Sequence, residues 1–414
     1  MNHYSPGDVL RIAKRQHNSK RTYLLVNPLQ AKHIPVSPGK SLEMMGALGA
    51  KLAQAYQDCK LVIGFAETAT AIGAAVASCF PDDCVYIHTT REDIPEVTGW
   101  IHFLEEHSHA TDQKLCADSL ADRIENTEKL ILVDDEISTG KTLINMVEQL
   151  RSRFPAVREK QMIAASVINR LTEENEARLS QAGITAECLV KLACDDYAEF
   201  VRPIQISPAV DLTGLDMPDM DFFDVIQGQM LPDPREGTEI GRYRASCFRM
   251  AETVVPLLQN SVRPGSRLLV LGTEEYMYPA LILGQQLERS LGAAVYCHAT
   301  TRSPIGIAQE RDYPVRTGYK LHSFYAGDRE SYIYNLAQYD AVIAVTDSRL
   351  DCEAPLCELG KALKDHGCGK LFFVHNKMRT VGHARGPDLK SIKSTSARSR
   401  AAHTNLYGGD HDEV

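Results

Sequence analysis

The sequence predicts an α/β protein made of two doubly wound, Rossmann-like parallel-sheet domains. Three observations predict it: strand-like and helix-like patterns alternate in both halves, the chain is too long for one ordinary core, and the halves echo each other. A chain of 414 residues implies two domains of roughly 150–200 residues each. Alternating strand and helix patterns imply parallel strands with helices laid over both faces.

In the first half, short apolar runs place strands at Tyr23–Val26, Leu61–Phe65, Val85–His88, Leu130–Val133 and Met162–Val167. After Thr142 the period lengthens, and Leu143, Met146, Val147 and Leu150 mark one face of a helix. Residues 203–237 are rich in Pro, Asp and Gly and read as a connection between domains. Strands follow at Arg267–Leu271, Ala294–His298, Ala341–Val345 and Leu371–His375. Beyond about residue 383 the chain is polar and aperiodic, which predicts disorder. The expected organisation is a first domain over 18–205, a linker over 206–240, a second α/β domain over 241–382 and a tail over 383–414.

The halves also share an order of marks. LVIGFAETATAIGAAVA followed by VYIHTTRED parallels LLVLGTEEYMYPALILG followed by VYCHATTRSP. Gly64 and Arg91 are 27 positions apart, Gly272 and Arg302 are 30; Arg91 to Asp135 is 44 positions, Arg302 to Asp347 is 45. The second domain therefore reads as an altered repeat of the first.

Bulk properties narrow the function. A net charge of −9 argues against a nucleic-acid-binding surface, which needs clustered Lys and Arg. A small anion remains compatible, because a few local donors can hold a phosphate in an acidic protein. The stretch Leu61–Phe80 carries Glu67 and many small residues and reads as strand, loop and helix, not as a membrane span. The first residues lack a signal-type apolar run, and eleven scattered cysteines without a C-x-x-C pair favour reduced thiols and a cytoplasmic location. Cys352 and Cys357 have no diagnostic metal spacing and read as structural.

The strongest motif is LILVDDEISTGKTL, residues 130–143. Four apolar residues make a strand that is expected to end at Asp134 and Asp135, before Ser138-Thr139-Gly140-Lys141-Thr142 opens a helix. Backbone N–H groups at a helix start point at a phosphate, glycine permits close approach, and the hydroxyls add donors. The two carboxylates can accept hydrogen bonds from vicinal ribose hydroxyls. Two other readings stand beside this one. A Walker A loop would need glycine where Asp135 stands. A plain helix start would use Ser138 or Thr139 as its cap.

Three further stretches bear on the same chemistry. In GFAETATAIG, residues 64–73, a glycine at a strand end and a small-residue helix start suit a pyrophosphate-binding loop or tight helix packing. In HTTRE, Arg91 is either a bidentate pyrophosphate clamp or a solvated arginine. In FLEEHSHATDQ, residues 103–113, His107 and His109 lie beside Glu105 and Glu106 without a longer metal-ligand pattern.

VDDEISTGKT resembles the motif of type I phosphoribosyltransferases. More closely, residues 18–380 resemble the orotate-phosphoribosyltransferase-like proteins of bacterial tellurite-resistance and stress operons. Those carry a C-terminal domain named for a Thr-Arg-Ser-Pro motif, here Thr301-Arg302-Ser303-Pro304. The resemblance implies that Asp134 and Asp135 hold the ribose hydroxyls of phosphoribosyl pyrophosphate (PRPP), with Ser138, Thr139, Gly140, Lys141 and Thr142 on its 5-phosphate. Lys141 departs from the glycine common there. It further implies that Ala66, Glu67, Thr68, Ala69 and Thr70 hold pyrophosphate, with Glu67 meeting Mg²⁺ or facing away. Residues 103–113 would form a lid in which His107 or His109 offsets charge, and Arg21, Lys32 and His33 would lie in a hood facing the acceptor. The implied reaction transfers ribose 5-phosphate from PRPP to a base-like acceptor, with Mg²⁺ carried on PRPP and no protein-only metal site. The rival reading is a PRPP-binding regulator or scaffold without transfer, and a homodimer stays open.

The second domain cannot repeat this chemistry. Thr346-Asp347 stands where the acidic pair would be, and Glu274 and Glu275 stand where pyrophosphate donors would be. Glu274, Glu275, Thr301, Arg302, Ser303 and Asp347 are its candidate site residues, in a crevice expected to favour a cation, a metal or a neutral ligand.

Overall fold

The computed structural model describes residues 3–376 except 17, 19–20, 104–112, 194–195, 215–221, 260 and 351. His107, His109 and the tail therefore lie outside the described residues.

The first sheet contains β1 (Leu61–Gly64), β2 (Val85–His88), β3 (Lys129–Ile137), β4 (Gln161–Asn169) and β5 (Ile184–Lys191). They run parallel in the order β2-β1-β3-β4-β5, and a short antiparallel strand, Thr238–Glu239, closes the β2 edge. The second sheet contains β6 (Phe223–Gln227), β7 (Arg267–Gly272), β8 (Ala294–Ala299), β9 (Ala341–Thr346) and β10 (Leu371–His375), parallel in the order β6-β10-β9-β7-β8. Strands β1, β9 and β10 are buried along their whole length. Continuous apolar runs of this kind are what a parallel strand covered on both faces requires.

The two sheets correspond strand for strand. β7, β8, β9 and β10 take the places of β1, β2, β3 and β4, while the outer place of β5 is filled by β6, which precedes them in the chain. In each half an antiparallel pair of strands follows the second strand: Trp100–Phe103 with Gln113–Cys116, and Gly318–His322 with Glu330–Tyr334. The loops match as well. Thr89 N–H donates to the Gly64 carbonyl at 2.9 Å, and Thr300 N–H to the Gly272 carbonyl at 3.0 Å. Ala66 N–H donates to Thr89 Oγ1 at 2.8 Å, and Glu274 N–H to Thr300 Oγ1 at 3.0 Å.

Helices α1 (Pro38–Ala55), α2 (Thr70–Ala77), α4 (Ile240–Leu258) and α5 (Tyr278–Leu291) pack between the halves, while α3 (Lys141–Arg153) and α6 (Glu353–Asp365) lie elsewhere on the sheets. One hydrophobic cluster runs through this layer, joining Met44, Leu48, Ile72 and Val76 to Tyr243, Met250, Leu281 and Leu283.

Three expectations need correction. Tyr23–Val26 pairs antiparallel with Arg11–Lys14, outside the parallel sheets, and Val26 and Ala13 pack against Ile305 and Tyr334 of the second half. The stretch 203–237 is more than a connection, since it supplies β6 to the second sheet. β3 does not stop at the acidic pair: Glu136 pairs with Ile168 and Ile137 with Asn169, because β4 is equally long and offers ladder partners to the end.

Candidate active site

The carboxyl ends of β2, β1 and β3 bring three loops together. Phe65 N–H donates to the Val133 carbonyl at 2.9 Å, setting residues 65–70 beside Asp134. Thr89, two residues before Arg91, is tied to Gly64 and to the same loop. Doubly wound sheets place ligands at this end, where strand order reverses.

Asp134 and Asp135 are both half-buried on β3, and Asp134 Oδ1 accepts from Asp135 N–H at 2.9 Å. Burial pushes the Asp135 pKa up, and the adjacent Glu136 carboxylate adds to the rise. Glu136 itself is paired with Arg21 Nη2 at 2.6 Å and Arg170 Nε at 3.1 Å. The residue that caps α3 is Gly140, at φ 75°, not Ser138 or Thr139; Thr139 Oγ1 accepts from Lys141 N–H at 3.3 Å. Ser138 and Thr142 are half-buried, and Lys141 is exposed at the first helical position. The N–H groups of this first turn have no partner within the helix, so the loop presents donors where a phosphate could lie.

Residues 66–70 are fixed from several sides. The Ala66–Glu67 peptide is cis. Gln113 Nε2 donates to the Ala66 carbonyl at 2.5 Å, and Gln30 Nε2 to the Thr68 carbonyl at 2.9 Å. Ala69 N–H donates to the Phe65 carbonyl at 3.0 Å, and Thr70 Oγ1 to the Glu275 carbonyl at 2.8 Å. Glu67 turns toward the second half of the chain. Its carboxylate pairs with the buried Lys32 and lies 3.4 Å from Arg302 Nε. Burial alone would raise its pKa, but Lys32 and Arg302 hold it below the usual range.

The second-domain candidates converge on this same boundary. Arg302 pairs with Glu274 at 2.8 Å and with Glu92, and lies 3.7 Å from Glu275. Burial would lower its pKa, yet Glu274, Glu67, Glu275 and Glu92 raise it. Glu274 also accepts from Arg329 Nη2 at 3.0 Å and Ser323 Oγ at 2.5 Å. Glu275 accepts from Thr90 Oγ1 at 2.7 Å, Arg91 N–H at 3.2 Å and Arg235 Nε at 3.1 Å. Against the burial that would raise it, Arg235 and Arg302 bring its pKa down to about 2. Asp347 accepts from Arg235 Nη1 and from the Tyr325 hydroxyl, each at 2.6 Å. Thr301 Oγ1 accepts from Ser303 N–H at 3.2 Å, and the Ser303 carbonyl accepts from the Tyr334 hydroxyl at 2.7 Å. The cations that the acidic loop was expected to attract are thus arginines of the chain itself.

Arg21 and Lys32 are engaged within the chain, and His33 is buried. Arg21 serves Glu136; Lys32 donates to the Glu274 and Thr300 carbonyls at 2.8 and 2.9 Å; burial and Lys32 push the His33 pKa well down. Sequence reasoning did not single out Arg235, Arg329, Gln113 or Tyr325. The one local signal was Arg235, a charge set in the Pro-rich run LPDPREG. Among the described residues, no group of three or more His, Cys, Asp or Glu is placed to hold a metal ion, and no helix is long and apolar enough to cross a membrane.

Residues 9–195 match the family model described as phosphoribosyl transferase, and the first domain is of that glycosyltransferase class of enzyme. Residues 239–363 match the TRSP domain, described as C-terminal to that phosphoribosyltransferase domain, so the chain carries the two domains in that order. No curated protein matches the chain. Partly similar solved structures include adenine phosphoribosyltransferase from Rhodothermus marinus (16% identity, 45% of this chain and 96% of that one, TM-score 0.33). Another is orotate phosphoribosyltransferase from Aeropyrum pernix (18% identity, 45% and 89%, TM-score 0.29). The assignment rests on the family matches.

Proposed function

We propose that the first domain transfers ribose 5-phosphate from PRPP to a nitrogenous, base-like acceptor and releases pyrophosphate. The observation that carries this reading is the meeting of Asp134–Asp135, the Gly140-capped helix start and the loop 66–70 at adjacent strand ends. Asp134 and Asp135 would accept from the ribose hydroxyls, residues 138–142 would hold the 5-phosphate, and the backbone of 66–70 with Arg91 would hold pyrophosphate. No side-chain nucleophile is needed. Holding both charged ends in line with the acceptor nitrogen, and excluding water, supply the positioning and electrostatics of the step.

Mg²⁺ fits this set. The nearby donors are carboxylate oxygens, and burial disfavours the Asp135 charge, which a bound cation would stabilise. Mg²⁺ commonly binds through one or two carboxylates plus substrate phosphates. When bound it neutralises the leaving pyrophosphate. A cytoplasmic site of action, expected from the scattered cysteines, and a role in a stress response, implied by the family resemblance, belong to the same proposal, as do the domain limits 18–205 and 241–382.

The test is pyrophosphate release on incubation with PRPP, Mg²⁺ and a panel of bases, alongside calorimetric PRPP binding. Asp135→Ala should weaken PRPP about ten- to hundredfold, since hydrogen bonds to a charged acceptor contribute about 1.5–3 kcal/mol each. Binding without release from any base would favour the regulator reading. Absence of PRPP binding would end both.

A further inference from the structure

A cavity of about 250 Å³ lies between the second sheet and the first domain. It sits over the carboxyl ends of three strands: Tyr276 follows β7, Asp347 follows β9 and Asn376 follows β10. The chain leaves β7 for β8 on one side and then enters β9 on the other, so this is the switch point of the second sheet. Ligands of doubly wound sheets bind at such points. Here the crevice is closed by residues 92–95 of the first domain and 230–233 of the connection.

The walls define a ligand class. Carboxylates outnumber guanidinium groups: Glu92, Asp93, Asp233 and Asp347 against Arg235 and Arg349. Arg235 already serves Glu275, Asp233 and Asp347, and Arg349 pairs with Glu96 at 2.6 Å, while Glu92 is held by Arg302 and Arg329 and Asp93 by Lys114, so neither lining arginine is left over for a phosphate. The rest of the lining is flat or apolar, with Tyr276, Tyr325, Ile94, Pro95 and Leu231. The Asp233 and Asp347 carboxylates beside Arg235 are hydrogen-bond acceptors, and so is the buried Asn376 Oδ1, which has no partner among the described residues. Their complement is a flat molecule with N–H groups on its edge, as when Asp or Glu accepts from the amino group of cytosine. The volume falls just below the roughly 300–1,000 Å³ of sites for drug-sized ligands, so the occupant is small.

We propose that this cavity is a second ligand site, taking an amino-substituted heterocyclic base or its nucleoside. The proposal goes beyond phosphoribosyl transfer and does not depend on it, because its readout is binding alone. Oxo-substituted counterparts would turn an oxygen toward the carboxylates and be rejected.

The test is calorimetric titration of the full chain with cytidine, adenosine, uridine and inosine, without PRPP. Cytidine or adenosine should bind at least about tenfold more tightly than uridine and inosine. Met230 and Leu350 line the cavity and are 59% and 42% exposed. Met230→Trp or Leu350→Trp should therefore fill it without disturbing the core, and each should weaken binding about tenfold or more. Either variant suffices should the other fail to fold. Asp135→Ala, in the first domain, should leave nucleoside binding intact. The proposal is overturned if none of the four probes binds at about 1 mM, or if uridine and inosine bind as well as the amino compounds. Binding abolished by Asp135→Ala but kept in the tryptophan variants would overturn it too, by moving the ligand to the first site. Nucleoside binding in a chain that releases no pyrophosphate would leave it standing.

Discussion

Gly140 caps α3 at φ 75°, and a Cβ there would stand 2.0 Å from Leu179 Cδ1. Gly140→Ala must therefore take an unfavoured left-handed conformation and displace a buried leucine. The first costs roughly 1–2 kcal/mol and overpacking about 1–3 kcal/mol, so a loss of about 2–5 kcal/mol in urea denaturation is expected. Lys141→Gly, at an exposed helix start, should cost less than about 1 kcal/mol. The opposite ranking would restore a role for the lysine like that in a P-loop. Glu92 makes a second residue-level prediction. Burial, then Glu275, pushes its pKa from 4.5 to about 7 despite Arg302 and Arg329. A raised carboxyl contributes stability fully below pH 4.5 and loses it as pH rises toward 7. Glu92→Gln should thus gain Tm relative to wild type between pH 5 and pH 8, and a Tm difference independent of pH would show that Glu92 stays ionised. The acidic pair and its glycine were legible in the sequence because they lie within seven positions of one another. The fate of Glu67 was not, since its partner Arg302 is 235 positions away and the pattern around it is that of an ordinary loop.

Among the elements, buried strands announced themselves through continuous apolar runs, and α3 through its amphipathic face. The antiparallel pairs 100–103 with 113–116 and 318–322 with 330–334 were missed because strands of four or five residues, without a regular burial alternation, are too short to stand out from loops. The connection was misread because proline and aspartate surround the five residues of β6, a half-exposed edge strand. The TRSP motif itself is legible only as a turn after β8; its charge role appears when Arg302 is seen among Glu67, Glu92, Glu274 and Glu275. Arg302→Ala would leave those carboxylates short of their shared cation. Breaking a buried pair in this way costs about 3–5 kcal/mol, and urea denaturation should show a loss of that order. Its pH dependence has a definite sign. In the wild type Glu275, depressed to about 2, contributes stability above pH 4.5 that fades as pH falls. Without Arg302 the carboxyl pKa values rise, so the deficit should be largest near neutrality and narrow on acidification. A loss below about 1 kcal/mol at pH 7 would mean that Arg235, Arg329 and Lys32 already satisfy the cluster.

At the scale of the whole molecule the halves meet through equivalent loops. Arg302, after β8, reaches Glu67 in the loop after β1; Arg91, after β2, gives its N–H to Glu275 in the loop after β7. Such reciprocal contacts are the geometry of a twofold interface between like subunits, here formed within one chain. The sequence echo pointed to this relation, but no local pattern could reveal that the two loops touch. The boundary is also stitched by the segment just before α1, where Val36 and Cys297 exchange backbone hydrogen bonds at 2.7 and 3.1 Å, and by the shared cluster between the sheets. Domains that merely lie side by side keep separate cores and unfold separately. This chain has instead invested its largest core in the boundary, so neither half retains a covered face alone. Calorimetry of the full chain should therefore give one transition whose van 't Hoff and calorimetric enthalpies agree. A fragment ending at residue 205 would expose the faces of α1 and α2 and bury Glu67 with Lys32 but without Arg302. It should aggregate or bind a dye for exposed apolar surface. Two separate transitions in the full chain, or a soluble fragment with a cooperative transition of its own, would show that the boundary is a contact between independent domains.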